Sequence, residues 1–112
     1  MYRTGQGIDF HQLVDNIPLI IGNVKIPFYK GSKGHSDGDV LFHAITDAIL
    51  GALGEGDLGK HFPSSSSKWK DADSKVFLQY AVNILKEKKY KIVNLDSTVI
   101  LQKPQISSYV SN

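Results

Sequence analysis

The sequence predicts an α+β domain in which helices cover one face of a mixed or antiparallel β-sheet. Two observations support this class. Short β-branched runs occur at Leu19–Ile21, Val24–Ile26 and within 92–101, whereas two other segments repeat apolar residues at spacings of three and four. The resulting order, β-ββ-α-α-β, is typical of a single α+β domain, and we expect it to span residues 1–112.

Four strands are predicted, two of them paired in a hairpin. Residues 3–11 alternate loosely, and residues 92–101 alternate and end near Pro104. Gly22-Asn23 separates two β-branched runs, which indicates a two-residue hairpin. Residues 28–38 and 55–70 are rich in glycine or serine and have no periodicity, so both predict loops. No element is predicted after Pro104.

Two segments predict amphipathic helices. The first covers 39–53, with Ser36, Asp37 or Asp39 as the N-cap and Gly54 as the terminator. The second covers roughly 73–89. The apolar stripe of the first helix consists of Leu41, Ile45, Ala48, Ile49 and Ala52.

Composition excludes several classes of protein. The 112 residues include no cysteine, which rules out a disulfide scaffold, a thiolate zinc site and a cysteine nucleophile. The net charge of +2 is too balanced to suggest a nucleic-acid or membrane partner. No stretch approaches the roughly 20 apolar residues of a membrane helix, and no secretory signal is visible. We therefore expect a cytoplasmic domain, or an organellar one if a transit peptide has been removed.

Asp9, His11 and His43 are candidate metal ligands. Alternation along a strand places Asp9 and His11 on one face, with Cα atoms roughly 6.6 Å apart, and His43 lies one turn into the first helix. Two imidazoles and a carboxylate form a three-ligand set for a catalytic metal. On spacing alone, a turn-forming aspartate and two hydrogen-bonded histidines explain the pattern at least as well.

Two further patterns are compatible with either a functional or a purely structural role. Asp39, His43 and Asp47 share a helix face, so a carboxylate one turn away could accept a bond from the second ring nitrogen of His43. A solvated polar stripe fits equally well. The glycine-rich loop before this helix, with His35 and Ser36, could bind an anion at the helix N-terminus. A flexible loop with a capping serine is the alternative.

Several blocks, read in order, resemble one enzyme family. They are GIDFH at 7–11, GHSDGDV at 34–40, HAITDAILGA at 43–52, GDLG at 56–59, FP at 62–63 and ADS at 72–74. Together they resemble the 2-C-methyl-D-erythritol 2,4-cyclodiphosphate synthases of non-mevalonate (MEP) isoprenoid, or terpenoid, biosynthesis. The tandem G-x-D-x-H and H-S-D-G-D blocks are specific to this family.

The resemblance implies a phosphorus–oxygen lyase. Such an enzyme converts 4-diphosphocytidyl-2-C-methyl-D-erythritol 2-phosphate to 2-C-methyl-D-erythritol 2,4-cyclodiphosphate and CMP by metal-assisted intramolecular phosphoryl transfer. It also implies a homotrimer with active sites at subunit interfaces. Zinc would be held by Asp9, His11 and His43, and a second divalent ion, Mg²⁺ or Mn²⁺, would lie between the diphosphate groups.

The same resemblance implies roles for other residues. His35 would be catalytic and, with Ser36, would hold phosphate; Asp57 and Gly59 would hold the erythritol hydroxyls. The loop after residue 61 would lie over the substrate, and residues 101–107 would line the cytidine pocket. The implied substrate-binding set is Asp9, Phe10, His11, His35, Ser36, Asp57, Leu58, Gly59, Phe62, Pro63, Ser64, Ser65, Ser66, Leu101, Gln102, Lys103, Pro104, Gln105, Ile106 and Ser107.

The chain departs from the family pattern in three places. Serines at 64–66 replace the usual Asp and Thr, and residues 101–105 differ from the usual Ala-Pro-Lys-like segment. The family's Thr-Thr-Thr-Glu motif, with a catalytic threonine and a ligand for the second metal, does not occur in the 112 residues, so we expect that the C-terminal part of the domain is missing. The alternatives are a zinc-dependent phosphohydrolase and a non-catalytic metal- or phosphate-binding domain.

Overall fold

The structure, a computed structural model, describes residues 1–111 and contains four short strands and three α-helices. In the described part, no helix is long and apolar enough to cross a membrane. Short 3₁₀ turns lie at Ser67–Trp69 and Ser107–Tyr109. The strands and helices are β1 (Leu13–Asp15), β2 (Leu19–Ile21), β3 (Val24–Ile26), β4 (Lys30–Ser32), α1 (Val40–Ala52), α2 (Leu58–His61) and α3 (Lys75–Glu87).

The predicted hairpin is confirmed. Strands β2 and β3 pair in antiparallel register, with Leu19 opposite Ile26. The two turn residues, Gly22 and Asn23, have φ values of 59° and 64°. Positive φ at both central positions is the geometry of a type I′ turn, whose twist matches that of the flanking strands.

A second antiparallel pair joins β1 to β4, with Leu13 opposite Ser32. The sequence predicted a loop here, and that prediction is wrong for Lys30–Ser32. Gly31, which suggested a loop, is required by close packing: a Cβ at this position would lie 2.2 Å from the carbonyl oxygen of Pro18. A glycine can therefore mark a crowded strand as well as a turn.

The predicted strands at 3–11 and 92–101 are not formed in the described residues. Neither segment is paired with a neighbouring strand. Residues 3–11 instead lie against α1, where a Cβ at Gly5 or Gly7 would approach the carbonyl oxygen of Ala48 or Ala44 to 1.9 Å. The expected mixed sheet is accordingly replaced, among residues 1–111, by two separate antiparallel pairs.

The two long helices are confirmed, and they pack on each other. Their shared core contains Ile49, Leu50 and Leu53 of α1 and its C-cap, together with Ala81 of α3. A second apolar cluster surrounds the hairpin and includes Leu19, Ile21 and Ile26, with Leu101, Ile106 and Tyr109 packed against it. The domain therefore has two small cores.

The predicted 55–70 loop contains one turn of helix, α2, and a 3₁₀ turn. Asp57 caps α2 by accepting a hydrogen bond from the Lys60 amide at 2.9 Å. An element of four residues is too short to show helical periodicity, which is why the sequence did not reveal it. The same reason applies to the 3₁₀ turn at Ser107–Tyr109, where no element was predicted.

Asp39 is the N-cap of α1, and its side chain is fully buried. One oxygen accepts from the amide of Phe42 at 3.1 Å and of Gly22 at 2.8 Å, and the other accepts from the amide of Asn23 at 2.6 Å. Burial raises the pKa of Asp39, and the three amide bonds oppose that rise. The carboxylate thus ties the hairpin turn to the first turn of α1.

We predict that Asp39→Ala lowers the free energy of unfolding by about 2–4 kcal/mol, because it removes a helix cap and leaves two turn amides without their partner. Urea unfolding measures this loss. The matched control is Asp73→Ala, since Asp73 accepts only the exposed Lys75 amide and should cost about 1 kcal/mol or less. Equal losses in the two variants would contradict the linking role of Asp39.

Candidate metal centre

Asp9, His11 and His43 converge, and their ligating atoms all lie within 4.8 Å of one another. Oδ2 of Asp9 is 2.8 Å from Nε2 of His11 and 3.2 Å from Nδ1 of His43. Phe10, which lies between Asp9 and His11 in the sequence, points away from this cluster and is 87% exposed. The predicted alternation of residues 9–11 is therefore correct although the strand is not formed.

The backbone fixes the ring of His11. Its Nδ1 lies 2.8 Å from the carbonyl oxygen of Lys33, and because a carbonyl can only accept, Nδ1 carries the donated proton. Nε2 is then the nitrogen that faces Asp9 and His43. The Lys33 amide in turn donates to the carbonyl of Gln12 at 2.8 Å, so the contact depends on the β1–β4 pairing.

His43 faces Asp9 with Nδ1, whereas His11 faces it with Nε2. Nδ1 faces Asp9, whereas Nε2 lies 2.7 Å from Oγ of Ser74 and 3.1 Å from Oγ of Ser36. The sequence suggested Asp39 or Asp47 as the acceptor for this second nitrogen, and that prediction is wrong. Asp39 caps α1, and Asp47 accepts the amide of Leu58 at 2.7 Å.

The pKa values of the cluster favour a charged pair. Partial burial raises the pKa of Asp9, but the hydrogen bonds from His11 and His43 outweigh it and lower the pKa to about 2. The hydrogen bond to Asp9 raises the pKa of His11, although partial burial opposes it. A proton between His11 and Asp9 thus holds these two side chains together in the metal-free chain, and a cation can replace it.

The donor set fits a zinc ion. Two imidazole nitrogens and one carboxylate oxygen are the three protein ligands of many catalytic zinc sites, which leave a further position open for a substrate. Each imidazole also has an acceptor for its outer nitrogen, the arrangement that orients metal-binding histidines in proteins. The metal-ligating triad proposed from the sequence is therefore brought together, and its ligand chemistry suits zinc.

His35, in the loop before α1, holds the serine-rich loop at residues 63–67 by a hydrogen bond. Its Nε2 donates to the carbonyl oxygen of Ser66 at 2.7 Å. Its own carbonyl accepts from the amide of Asp71 at 2.7 Å, and the amide of Asp37 donates to the carbonyl of Ala72 at 3.0 Å. The loop that precedes α3 is thus held against residues 35–37.

The other predicted substrate-binding residues are distributed around α2. Asp57 caps the start of that helix, and the amide of Leu58 donates to Asp47. Gly59 is exposed. Phe62 is buried, with its ring centroid 4.6 Å from that of Phe77 and 4.8 Å from that of Trp69. Pro63, Ser64 and Ser65 are exposed, and Ser66 closes a turn onto the Pro63 carbonyl.

Within the predicted cytidine segment, Leu101 lines the same groove as Asp9. A groove of ≈ 1450 Å³ runs between the N-terminal segment, α1 and residues 88–101, and both Asp9 and Leu101 line it. Leu101 and Ile106 also pack on the hairpin cluster. Gln102, Lys103, Pro104, Gln105 and Ser107 do not line this groove.

Sequence reasoning missed Ser74 as a partner of His43. A serine before a helical pattern indicates an N-cap, and nothing local shows that its hydroxyl reaches a ring 31 residues away. Asp37, which contacts Ser74, was considered only as a possible cap of α1. Both residues occur in blocks of the family resemblance, which was the one available signal.

The fold and the cluster of two histidines and one carboxylate define a small α+β domain with a candidate metal site. Comparison with known proteins identifies the family. The chain matches the YgbB family over residues 2–112 and belongs to it.

Its relatives in this family are 2-C-methyl-D-erythritol 2,4-cyclodiphosphate synthases. The chain is 54% identical over 111 residues to the enzyme of Methylobacillus flagellatus, covering 99% of the chain and 69% of the relative. It is 54% identical over 112 residues to that of Bacillus subtilis, covering all of the chain and 71% of the relative. The chain therefore spans about 70% of the length of these relatives.

Solved structures agree. The bifunctional IspDF of Campylobacter jejuni matches with a TM-score of 0.90 and 41% identity, over 96% of this chain and 29% of that one. The IspF of Plasmodium falciparum, a CDP complex, matches with a TM-score of 0.78 and 41% identity, over 95% of this chain and 64% of that one.

The cluster predicts a pH-dependent contribution to stability in the metal-free chain. The lowered pKa of Asp9 gives stability that is present above its ordinary value of 3.8 and lost as the pH falls toward about 2. The raised pKa of His11 gives stability that is present below 6.5 and lost as the pH rises through the raised value. The difference in unfolding free energy between wild type and Asp9→Asn should therefore be largest between pH 3.8 and pH 6.5.

Urea unfolding with a chelator, repeated across this pH range, measures the difference. The control is Asp96→Asn, which removes an exposed carboxylate. A difference for Asp9→Asn that does not vary with pH would show that the ion pair makes no contribution.

Proposed function

We propose that this chain is a 2-C-methyl-D-erythritol 2,4-cyclodiphosphate synthase, a phosphorus–oxygen lyase of the MEP pathway of isoprenoid biosynthesis. One observation carries the proposal: Asp9, His11 and His43 direct their ligating atoms at one point, close to residues 35–36 at the approach to α1. The reaction proposed is the closure of 4-diphosphocytidyl-2-C-methyl-D-erythritol 2-phosphate to the cyclic diphosphate.

In this reaction an oxygen of the 2-phosphate attacks the β-phosphorus. The bond between the β-phosphorus and the oxygen bridging to the CMP moiety breaks, and CMP leaves with that oxygen and its electron pair. Because both reacting groups belong to one molecule, the protein gains most by positioning them and neutralising their charge. Zinc, when held by Asp9, His11 and His43, would supply Lewis-acid polarisation of a phosphate oxygen.

His35 and Ser36 act on the phosphate groups in this proposal. Nε2 of His35 already donates to the Ser66 carbonyl, which leaves Nδ1 for the substrate. A protonated ring can therefore hold the loop and donate to a phosphate oxygen at once, stabilising charge in the transition state. The hydroxyl of Ser36 lies 3.1 Å from Nε2 of His43, the ring nitrogen that does not face Asp9, and we assign it to phosphate from the family resemblance.

The remaining substrate contacts follow the family resemblance. We assign the erythritol hydroxyls to Asp57 and Gly59 and the cytidine to residues 101–107, with a second ion, Mg²⁺ or Mn²⁺, between the diphosphate groups. The CDP in the Plasmodium falciparum complex supports a cytidine nucleotide as the ligand. Since the Phe62 ring is packed among aromatic residues, its loop would contact substrate through the neighbouring residues.

We also propose a homotrimer of single-domain subunits in the cytoplasm, with sites at the subunit interfaces. Several large apolar side chains that line the same groove as Asp9 support an assembly, because contact with another subunit would remove them from water. They are Tyr2, Ile8, Phe10, Val93 and Ile100.

The decisive experiment is an assay of the protein expressed from its full reading frame. We expect equal amounts of CMP and cyclic diphosphate, close to one zinc per chain, and loss of both zinc and turnover in His43→Ala. Phosphorus NMR distinguishes the products, and metal analysis counts the zinc. Release of inorganic phosphate would instead show a phosphohydrolase, and binding without turnover would show a non-catalytic domain.

We predict that His35→Ala retains zinc but lowers turnover by about 100-fold, the usual effect of removing one donor to a developing charge. The control is His61→Ala, which removes an imidazole bonded to Tyr80 and the Glu55 carbonyl and should retain most activity. Unchanged turnover in His35→Ala would remove this residue from the mechanism.

A further inference from the structure

Ser74 has an unusual role for a residue at the start of a helix. It is the N-cap of α3, yet its side chain makes no capping hydrogen bond. The residue is fully buried, and its Oγ lies 2.7 Å from Nε2 of His43. The hydroxyl therefore contacts the ring and not the amides of its own helix.

Asp37 determines which way the Ser74 hydroxyl points. Its Oδ1 accepts the hydroxyl proton of Ser74 and the amide of Asp39, and its Oδ2 accepts the amide of Ser74 at 2.9 Å. An ionised carboxylate can only accept, so Ser74 donates to Asp37. Oγ of Ser74 must then accept from the ring, which places a proton on Nε2 of His43.

We propose that Asp37 and Ser74 are positioning residues that hold His43 in the tautomer with its proton on Nε2 and its lone pair on Nδ1. The proposal rests on the metal site described above, in which Nδ1 is the ligating atom. Neither residue contacts the metal or the substrate in this scheme. Both act through the ring of His43.

The hydrogen bonds that link Asp37, Ser74 and His43, here called the relay, oppose a competing interaction of His43 with Asp9. Asp9 lies 3.2 Å from Nδ1 and would favour a proton on that atom, which is the tautomer that cannot bind a cation through Nδ1. The Asp9 oxygen is closer to His11, at 2.8 Å, and the Ser74 contact with Nε2 is shorter, at 2.7 Å. Oγ of Ser36, at 3.1 Å from the same nitrogen, can also accept its proton.

Nitrogen-15 NMR of the histidine rings tests the proposal without metal or substrate, well above the ordinary imidazole pKa. In the metal-free wild type we expect the proton of His43 on Nε2. In Ser74→Ala we expect it to move substantially to Nδ1, where Asp9 can accept it. A wild-type proton on Nδ1, or an unchanged tautomer in Ser74→Ala, would overturn the proposal.

Zinc affinity, measured by competition with a chromogenic chelator, provides the second readout. Removing a residue that orients a ligand typically weakens metal binding 10- to 100-fold, and we expect losses of about this size for Ser74→Ala and Asp37→Asn. Wild-type affinity in both variants would contradict the relay. If circular dichroism shows that Ser74→Ala does not fold, the nearly isosteric Asp37→Asn decides both readouts.

Asp73→Ala is the matched control, because it removes a carboxylate at the same helix start without touching His43. It should keep the wild-type tautomer and zinc affinity. The same changes in Asp73→Ala would show that loosening α3 is the cause and would overturn the relay. Wild-type protein that binds no zinc would instead refute the proposed function, and the tautomer result would still stand.

Discussion

The buried carboxylate of Asp39 is the interaction on which the rest of the structure depends. A charge in this position is tolerated because three amides and the N-terminal end of α1 surround it. It joins the hairpin turn to the helix, which fixes the direction in which α1 begins. His43 lies one turn later, so the position of the metal ligand follows from this contact.

Small residues provide the second constraint. The N-terminal segment approaches α1 so closely that a side chain at Gly5 or Gly7 would overlap the helix backbone. This approach brings Asp9 and His11 to within hydrogen-bond reach of each other and of His43. The centre therefore requires no strand at 3–11, because the close contact of this segment with α1 brings Asp9 and His11 to His43.

The features predicted correctly from the sequence are those set by neighbouring residues. The Gly22-Asn23 turn, the period of α1 and the alternation that pairs Asp9 with His11 are all local, and each was recovered. The β1–β4 pairing and the contact of Ser74 with His43 are not local, and both were missed. Family resemblance supplied the metal triad, since the spacing between His11 and His43 carries no signal that the two rings meet.

The two histidines are oriented by different parts of the molecule, and this has a consequence for folding. His11 depends on the Lys33 carbonyl and hence on the β1–β4 pairing beside the hairpin core. His43 depends on Ser74 at the start of α3, which belongs to the helical core. An ion bound to both rings would add a link between the two small cores, which Asp39 already joins. Since a ligand that binds only the folded state stabilises it in proportion to its affinity, metal binding in this domain would strengthen the attachment of the hairpin to the helices as well as prepare the site for phosphate.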